Sequence, residues 1–283
     1  MPAPRAPRHL RRPPRKLRCG RFELSLERPL VMGVINVTPD SFSDGGMFFS
    51  RKLAIAHARK LAKEGVDIID IGGESTRPGA APVPEDDELS RVMPVLEQLS
   101  DLCVSVDTRR PAVMKAALAA GASMINDVDA LGAPGALEAV AASDCAVCLM
   151  HKKGEPPTMQ KDPHYDDVVA EVKAFLQQRV DAALAAGIAA GRIVVDPGFG
   201  FGKTMEHNLE LLRHLPGLSE LPVLAGLSRK SMLAKLTGRG IDERLAGSLT
   251  LALLALQGGA TILRVHDVKE TRDVIAVWQA YKG

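Results

Sequence analysis

From Leu30 to His266 the chain repeats one pattern: a short apolar run rich in Val and Ile, then a longer stretch with Ala, Leu, Lys and Glu at helical spacing. The apolar runs are Leu30–Asn36, Val66–Ile71, Cys103–Asp107, Ser123–Asp127, Ala146–His151, Ile193–Asp196, Val223–Leu227 and Thr261–His266. The helical stretches are Arg51–Lys63, Asp87–Leu99, Pro111–Ala120, Pro134–Ala142, Asp166–Ala186, Met205–Leu215, Arg244–Gln257 and Lys269–Tyr281. Strands that are apolar on both faces belong to a parallel sheet covered by helices. Eight such βα units predict an α/β protein of one domain, a single (β/α)8 TIM barrel, and a chain of 283 residues has the length for it. An open doubly wound sheet uses the same units, and periodicity alone does not show closure. In both architectures function gathers at the carboxyl ends of the strands.

Charge and composition narrow the partners. Seven of the 36 basic residues (Arg5, Arg8, Arg11, Arg12, Arg15, Lys16 and Arg18) fall in the first 18 positions without an acid, so the rest of the chain holds 29 basic against 34 acidic residues. A mildly acidic body has no electrostatic reason to bind nucleic acid. Pro2, Pro4, Pro7, Pro13 and Pro14 spoil an amphipathic targeting helix, and residues 1–17 read as a disordered basic extension ahead of a domain over 18–283. The longest uncharged stretch, Leu245 to Leu263, is cut by Gln257-Gly258-Gly259 into a helix and a strand, so no membrane span is expected. Cys103, Cys145 and Cys148 sit in apolar runs as small hydrophobes, and no second CxxC or His turns Cys145/Cys148 into a metal site. These readings place the chain in the cytoplasm.

The strand ends carry the chemistry. In order they are Asn36; Glu74 to Arg77; Asp107; Asn126 and Asp127; His151; Asp196; Ser228 to Ser231 with Lys230; and Arg264 with His266. Singly, Asp127 or Ser228 reads as a loop or cap residue. On a closed barrel the set converges on one mouth. Its carboxylates and amides suit an amino-bearing heterocycle such as a purine or pterin, each charge-assisted bond being worth roughly 1.5–3 kcal/mol. Arg264 and His266, two apart on one strand, share a face and suit a phosphoryl group.

Two connections, Asn36–Gly46 and Gly72–Gly79, are long, polar and glycine-rich, as mobile lids over a barrel mouth are. The segment Asp196-Pro197-Gly198-Phe199-Gly200-Phe201-Gly202-Lys203-Thr204 ends like a phosphate-binding P-loop, but Gly198 and Gly202 leave three residues between them where that loop needs four. Its glycines serve instead to turn the backbone sharply so that Asp196 faces the cavity. His57, His164, His207 and His214 read as surface or satisfied polar residues.

Eight motifs resemble those of the dihydropteroate synthases, pterin-binding enzymes of folate biosynthesis: NVTPDSFSDGG at Asn36, IGGESTRPG at Ile71, SVDT at Ser105, INDV at Ile125, LMH at Leu149, DPGFGFGK at Asp196, GLSRKS at Gly226 and RVHDV at Arg264. The resemblance spans residues 18–283. It implies a dimeric (β/α)8 barrel that condenses 6-hydroxymethyl-7,8-dihydropterin pyrophosphate with 4-aminobenzoate, using Mg²⁺ to assist pyrophosphate departure. It also implies roles. Asp107, Asn126, Met150, Asp196 and Lys230 would bind the pterin; Asn36, Thr76, Arg264 and His266 the pyrophosphate, with Asn36 a metal ligand. Thr76, Arg77, Pro78 and Ser231 would frame the aminobenzoate, and Asp44 would join Arg264 and His266 as a catalytic residue by stabilising a developing cation. Asp129, Lys152-Lys153 and the basic extension depart from the common pattern. Two other functions keep part of the set: a folate–corrinoid methyltransferase would share Asp107, Asn126 and Asp196, and a noncatalytic paralogue would bind pterin alone.

Overall fold

The computed structural model describes residues 15–37, 46–74, 82–155 and 158–283, with the side chains of 46–50 left out. Barrel strands β3 (Leu30–Asn36), β4 (Ile68–Gly72), β5 (Val104–Asp107), β6 (Met124–Asp127), β7 (Ala146–Met150), β8 (Ile193–Asp196), β9 (Leu224–Ala225) and β10 (Ile262–Val265) are each followed by helix. The helices are α1 (Gly46–Lys63), α2 (Glu85–Leu96), α3 (Pro111–Ala119), α4 (Ala136–Ala141), α5 (Val168–Ala185), α6 (Met205–Arg213), α7 (Ser231–Thr237), α8 (Leu245–Gln257) and α9 (Val268–Lys282). Neighbouring strands pair in parallel from β8 back through β3 to β10 and β9. A bridge from Val195 to Val223 joins β8 to the start of β9, with Val195 N donating to the Pro222 carbonyl at 3.0 Å, and the ring closes. The barrel, rather than the open sheet, is the fold.

Helix starts follow local chemistry. Asp167 caps α5 by accepting from the backbone N–H groups of Val169 and Ala170, Thr204 opens α6 in a reciprocal capping box with His207, and Pro111 occupies the first turn of α3.

Register sets the height of each inward side chain. Asn36 is level with Gly72, Gly72 with Asp107, Asp107 with Asn126, and Met150 with Asp196. Below them the barrel interior is apolar: Leu30, Met32, Ile68, Cys103, Met124, Ala146, Cys148, Val194, Leu224 and Ile262 form one cluster. All four cysteines are free and buried, as expected for Cys103, Cys145 and Cys148; Cys19 joins them in the core.

Two strands precede the barrel, and periodicity did not foresee them. β1 (Lys16–Cys19) pairs antiparallel with β2 (Phe22–Ser25), and Leu17 and Cys19 enter the same interior cluster, both fully buried. This hairpin stoppers the amino-terminal end of the barrel. The boundary expected at residue 17 therefore falls earlier: Lys16 already pairs with Glu23 at 2.5 Å, and Leu17 is core. The short helix α7 was also unforeseen. Among the described residues no helix is long and apolar enough to cross a membrane.

Replacing Leu17 with Ala is expected to cost about 2–4 kcal/mol in urea unfolding, as for other buried leucines. Deleting residues 1–14, which lie outside the resemblance, is expected to leave the urea midpoint and activity unchanged; lost activity would contradict that division.

Candidate active site

Halfway up the barrel the interior changes from apolar to charged. Arg264 on β10 points inward, its Nε donating to Asp70 Oδ2 at 2.7 Å and its Nη2 to Asp107 Oδ2 at 2.8 Å. Asn126 Nδ2 donates to the same Asp70 oxygen at 3.2 Å. One guanidinium thus holds two carboxylates from β4 and β5, where burial makes each charge costly without the other. Burial and the neighbouring Asp70 raise Asp107 above the usual carboxylate range, against the pull of Arg264. Asp70 Oδ1, Asn126 Oδ1 and Ser105 Oγ are buried without a hydrogen-bond partner in the structure.

Above this layer a small cleft is lined by Asp107, Asn126, Met150, Asp196, Lys230 and Arg264, with Val128, Phe199, Phe201 and Gly226. Asp196 Oδ1 accepts from Gly198 N at 2.7 Å, which leaves Oδ2 beside Gly226 and the Arg264 stem. Burial raises Asp196 as well, opposed by the Gly198 hydrogen bond and by Lys230, Arg264 and Lys203. Lys230 ends the loop after β9, its Nζ 4.3 Å from the centre of the Phe201 ring. Gly198, Gly200 and Gly202 all have positive φ, as the turn required; a Cβ on Gly198 would lie 1.8 Å from the His151 carbonyl oxygen.

His266 lies near the rim, half-buried. Ser228 Oγ accepts from His266 N at 3.3 Å and sits 3.0 Å from His266 Nδ1, which fixes the ring beside the strand end. Asn36 ends β3 beside Gly72. Ser231 opens α7 and is exposed. Asp44, Thr76, Arg77 and Pro78 lie outside the described residues.

Other strand-end residues serve the scaffold. Asp127 is fully buried and accepts from Asp129 N and Leu131 N, holding a turn in which Ala130 and Leu131 take positive φ. His151 turns away from the mouth onto the edge of Phe175, ring centres 5.0 Å apart. Glu74 pairs with Arg110, which also binds Glu88. The departures Asp129 and Lys152 meet each other in an ion pair of 2.9 Å. Sequence reading missed Asp70, which lies within its strand rather than at the end; its signal was a carboxylate inside the run Ile68-Ile69-Asp70-Ile71.

A closed barrel with acceptors, amide and cations around one cleft defines a binding site for a donor-rich ring. The family model of pterin binding enzymes matches residues 32–266. A dihydropteroate synthase of Neisseria meningitidis serogroup B is 50% identical over 272 residues, covering 92% of this chain and 95% of that protein. The structure of Xanthomonas albilineans dihydropteroate synthase with 4-aminobenzoic acid superposes with a TM-score of 0.90 at 55% identity, covering 95% of this chain and 98% of that one. That of the Burkholderia cenocepacia enzyme complexed with 7,8-dihydropteroate gives 0.87 at 49% identity, covering 95% and 97%. The chain belongs to the pterin-binding enzymes, and among them to the dihydropteroate synthases.

Removing one partner of the buried charge layer is expected to be costly: Asp70→Ala should lower unfolding free energy by about 1–3 kcal/mol, since it leaves Arg264 Nε and Asn126 Nδ2 buried without the acceptor they share. Ser105→Ala, which deletes an unpartnered hydroxyl, should change it by less than about 1 kcal/mol. Urea titration of both compares them directly, and equal costs would contradict the charge pairing described.

Proposed function

We propose that this chain condenses 6-hydroxymethyl-7,8-dihydropterin pyrophosphate with 4-aminobenzoate, releasing 7,8-dihydropteroate and pyrophosphate. The observation that carries this reading is the meeting of Asp107, Asn126, Asp196, Lys230 and Arg264 in one cleft at the barrel mouth, in a chain half identical to dihydropteroate synthases over nearly its whole length.

Asp196 and Asn126 accept from the pterin's amino and ring N–H groups, Lys230 donates to its oxygen and nitrogen, and Met150 packs on the ring. The partnerless Asn126 Oδ1 is an acceptor of the kind such an edge needs. Arg264 and His266 take the diphosphate, and Arg264 moves part of its hydrogen bonding from the carboxylates to the phosphate oxygens. Its positive charge is never lost, because Asp70 and Asp107 raise its pKa further. Charge leaving with the diphosphate is met by these two donors while the electron-rich ring supports the departing carbon. Asp44 stabilises that carbon, Thr76 contributes to the phosphate site, and Thr76, Arg77, Pro78 and Ser231 frame the aminobenzoate; its neutral amine, once positioned, forms the C–N bond at the methylene carbon whose C–O bond to the diphosphate breaks, and its proton passes to solvent or to a released phosphate oxygen.

Mg²⁺ fits as a companion of the substrate. Among the described residues no three acidic, His or Cys side chains form a metal cage, and Mg²⁺ carried on phosphate needs only one or two protein oxygens; the amide of Asn36 supplies one. When bound, the ion neutralises diphosphate charge.

The chain acts as a homodimer. Leu236, Ile241, Leu245, Leu254, Val277 and Tyr281, on α7 to α9 and the turn between, leave large apolar groups exposed, of the kind that marks a contact surface. Four reduced thiols fit a reducing cytoplasm.

Pyrophosphate release is expected to need both substrates and Mg²⁺; turnover without 4-aminobenzoate, or none while pterin still binds, rejects the assignment. Arg264→Ala should weaken the diphosphate substrate about tenfold more than the bare pterin, the worth of a charge-assisted bond at roughly 1.5–3 kcal/mol. With Asp107 and Asp196 both raised, they take up protons where an ordinary carboxylate is still charged. Affinity for bare pterin, measured by calorimetry, should therefore fall on acidification before an ordinary carboxylate titrates, at about pH 4; a profile flat down to that pH contradicts this. Leu254→Glu with Val277→Glu should convert the dimer to monomer in sedimentation.

A further inference from the structure

The glycine-rich turn after β8 ends in a lysine that the proposed reaction does not use. Lys203 is only 3% exposed. Its Nζ lies 2.9 Å from His151 Nδ1, 3.0 Å from the Gly198 carbonyl oxygen and 3.1 Å from the Phe201 carbonyl oxygen. An ammonium has three N–H donors, and these are three acceptors at bonding distance. The His151 carbonyl oxygen stands further off at 3.5 Å. A neutral amine has two donors and a lone pair, which this cage of acceptors repels. The cage therefore fits the charged form, and it requires His151 to be neutral with Nδ1 accepting.

A buried cation bound only to neutral groups needs a counter-charge. The carboxylate that acts on it is Asp196, which favours its charged form, and the lysine in turn favours the ionised form of Asp196. The cation lies behind the cleft: Lys203 does not line it, whereas Asp196, Phe199 and Phe201 do. The turn it clasps is the one whose Gly198 N–H binds Asp196 Oδ1. We propose that Lys203 is a positioning residue for the pterin-binding carboxylate: its buried ammonium ties the Gly198–Phe201 turn to His151 and gives Asp196 a counter-charge that ligand does not displace.

This inference rests on Asp196 being a pterin ligand. Asp196 is faced by Lys230 from the loop after β9, Arg264 from β10, Cys148 from β7 and Lys203 from its own loop, with Asp70 and Asp107 beyond Arg264. Lys203 is faced by His151, Lys153 and Lys230, with His207 and Glu171 further out. Burial and the two neighbouring lysines lower Lys203 to about 7, and burial with Lys203 beside it lowers His151 to about 3, which keeps that ring neutral. Removing the cation raises Asp196, so its carboxylate protonates at higher pH and pterin binding is lost earlier on acidification.

The test titrates bare 6-hydroxymethylpterin into the full-length protein from pH 4 to 8.5. Lys203→Met is expected to bind about tenfold more weakly at pH 7, with the acid limb moved up by about one pH unit and the KM for 4-aminobenzoate unchanged. His151→Leu, which removes one acceptor of the cage, should move the limb the same way by less, and His151→Asn, which restores an acceptor, should return it. Should Lys203→Met not fold, the His151 pair decides with the same readout. An unmoved limb overturns the proposal even if affinity falls, because that is the result of a purely structural role. Asp196→Asn separates the two claims: wild-type pterin affinity in that variant defeats the pocket assignment itself, whereas lost affinity there with an unmoved Lys203→Met limb defeats only the role of Lys203.

Discussion

The barrel is held open to chemistry by one ion cluster, Arg264 shared between Asp70 and Asp107. An interior filled with side chains is normally apolar layer upon layer. Here the lower part obeys that rule, closed beneath by Leu17 and Cys19, and the polar part begins where a guanidinium reaches across from β10 to β4 and β5. Such a cluster is poor value as a stabiliser, since desolvating three charges offsets most of their attraction. Its worth lies in holding acceptors rigidly in a place from which water is largely excluded, where each hydrogen bond to a ligand counts for more.

Two kinds of cation surround the cleft, and they differ in what a ligand does to them. Lys230 and Arg264 line it, where the proposed ligand would meet them. Lys203 stands behind the glycine turn, bound to carbonyls and to His151. Carboxylates raised by burial need help to stay ionised near neutrality, and help from a group outside the cleft persists when substrate replaces the solvent. The scaffold around it is tied by ion pairs that link successive loops, Glu74 to Arg110 and Asp129 to Lys152.

Much of this was legible in the sequence because parallel strands covered by helices are apolar from end to end, and the polar residue that stops each run marks its carboxyl end. Asp107, Asn126, Asp196, Lys230 and Arg264, which the structure brings around one cleft, were singled out by reading the strand ends. What escaped did so for physical reasons. The β1–β2 hairpin alternates buried and exposed side chains, so Leu17 and Cys19 were hidden among arginines that read as a tail. Helix α7, with seven residues, is too short for a periodic signal. Asp70 lies inside its strand, where a charge interrupts the pattern instead of ending it. Lys203 looked like the end of a faulty phosphate loop, and its role depends on the backbone carbonyls that the three glycines fold around it. His151 showed the converse: a strand-end position does not fix the direction of the side chain, and its ring packs on Phe175.

On this reading the charged layer of the barrel mouth and the cleft above it form one binding site for a pterin and its diphosphate. A crystal structure with the bare pterin, pyrophosphate and Mg²⁺ measures this most directly. The ring is expected against Asp196, Asn126 and Met150, with the anion on Arg264 and His266. A ring bound elsewhere, such as the exposed groove between α5 and α6 lined by Tyr165, His207 and Arg213, with Arg264 untouched, would contradict it.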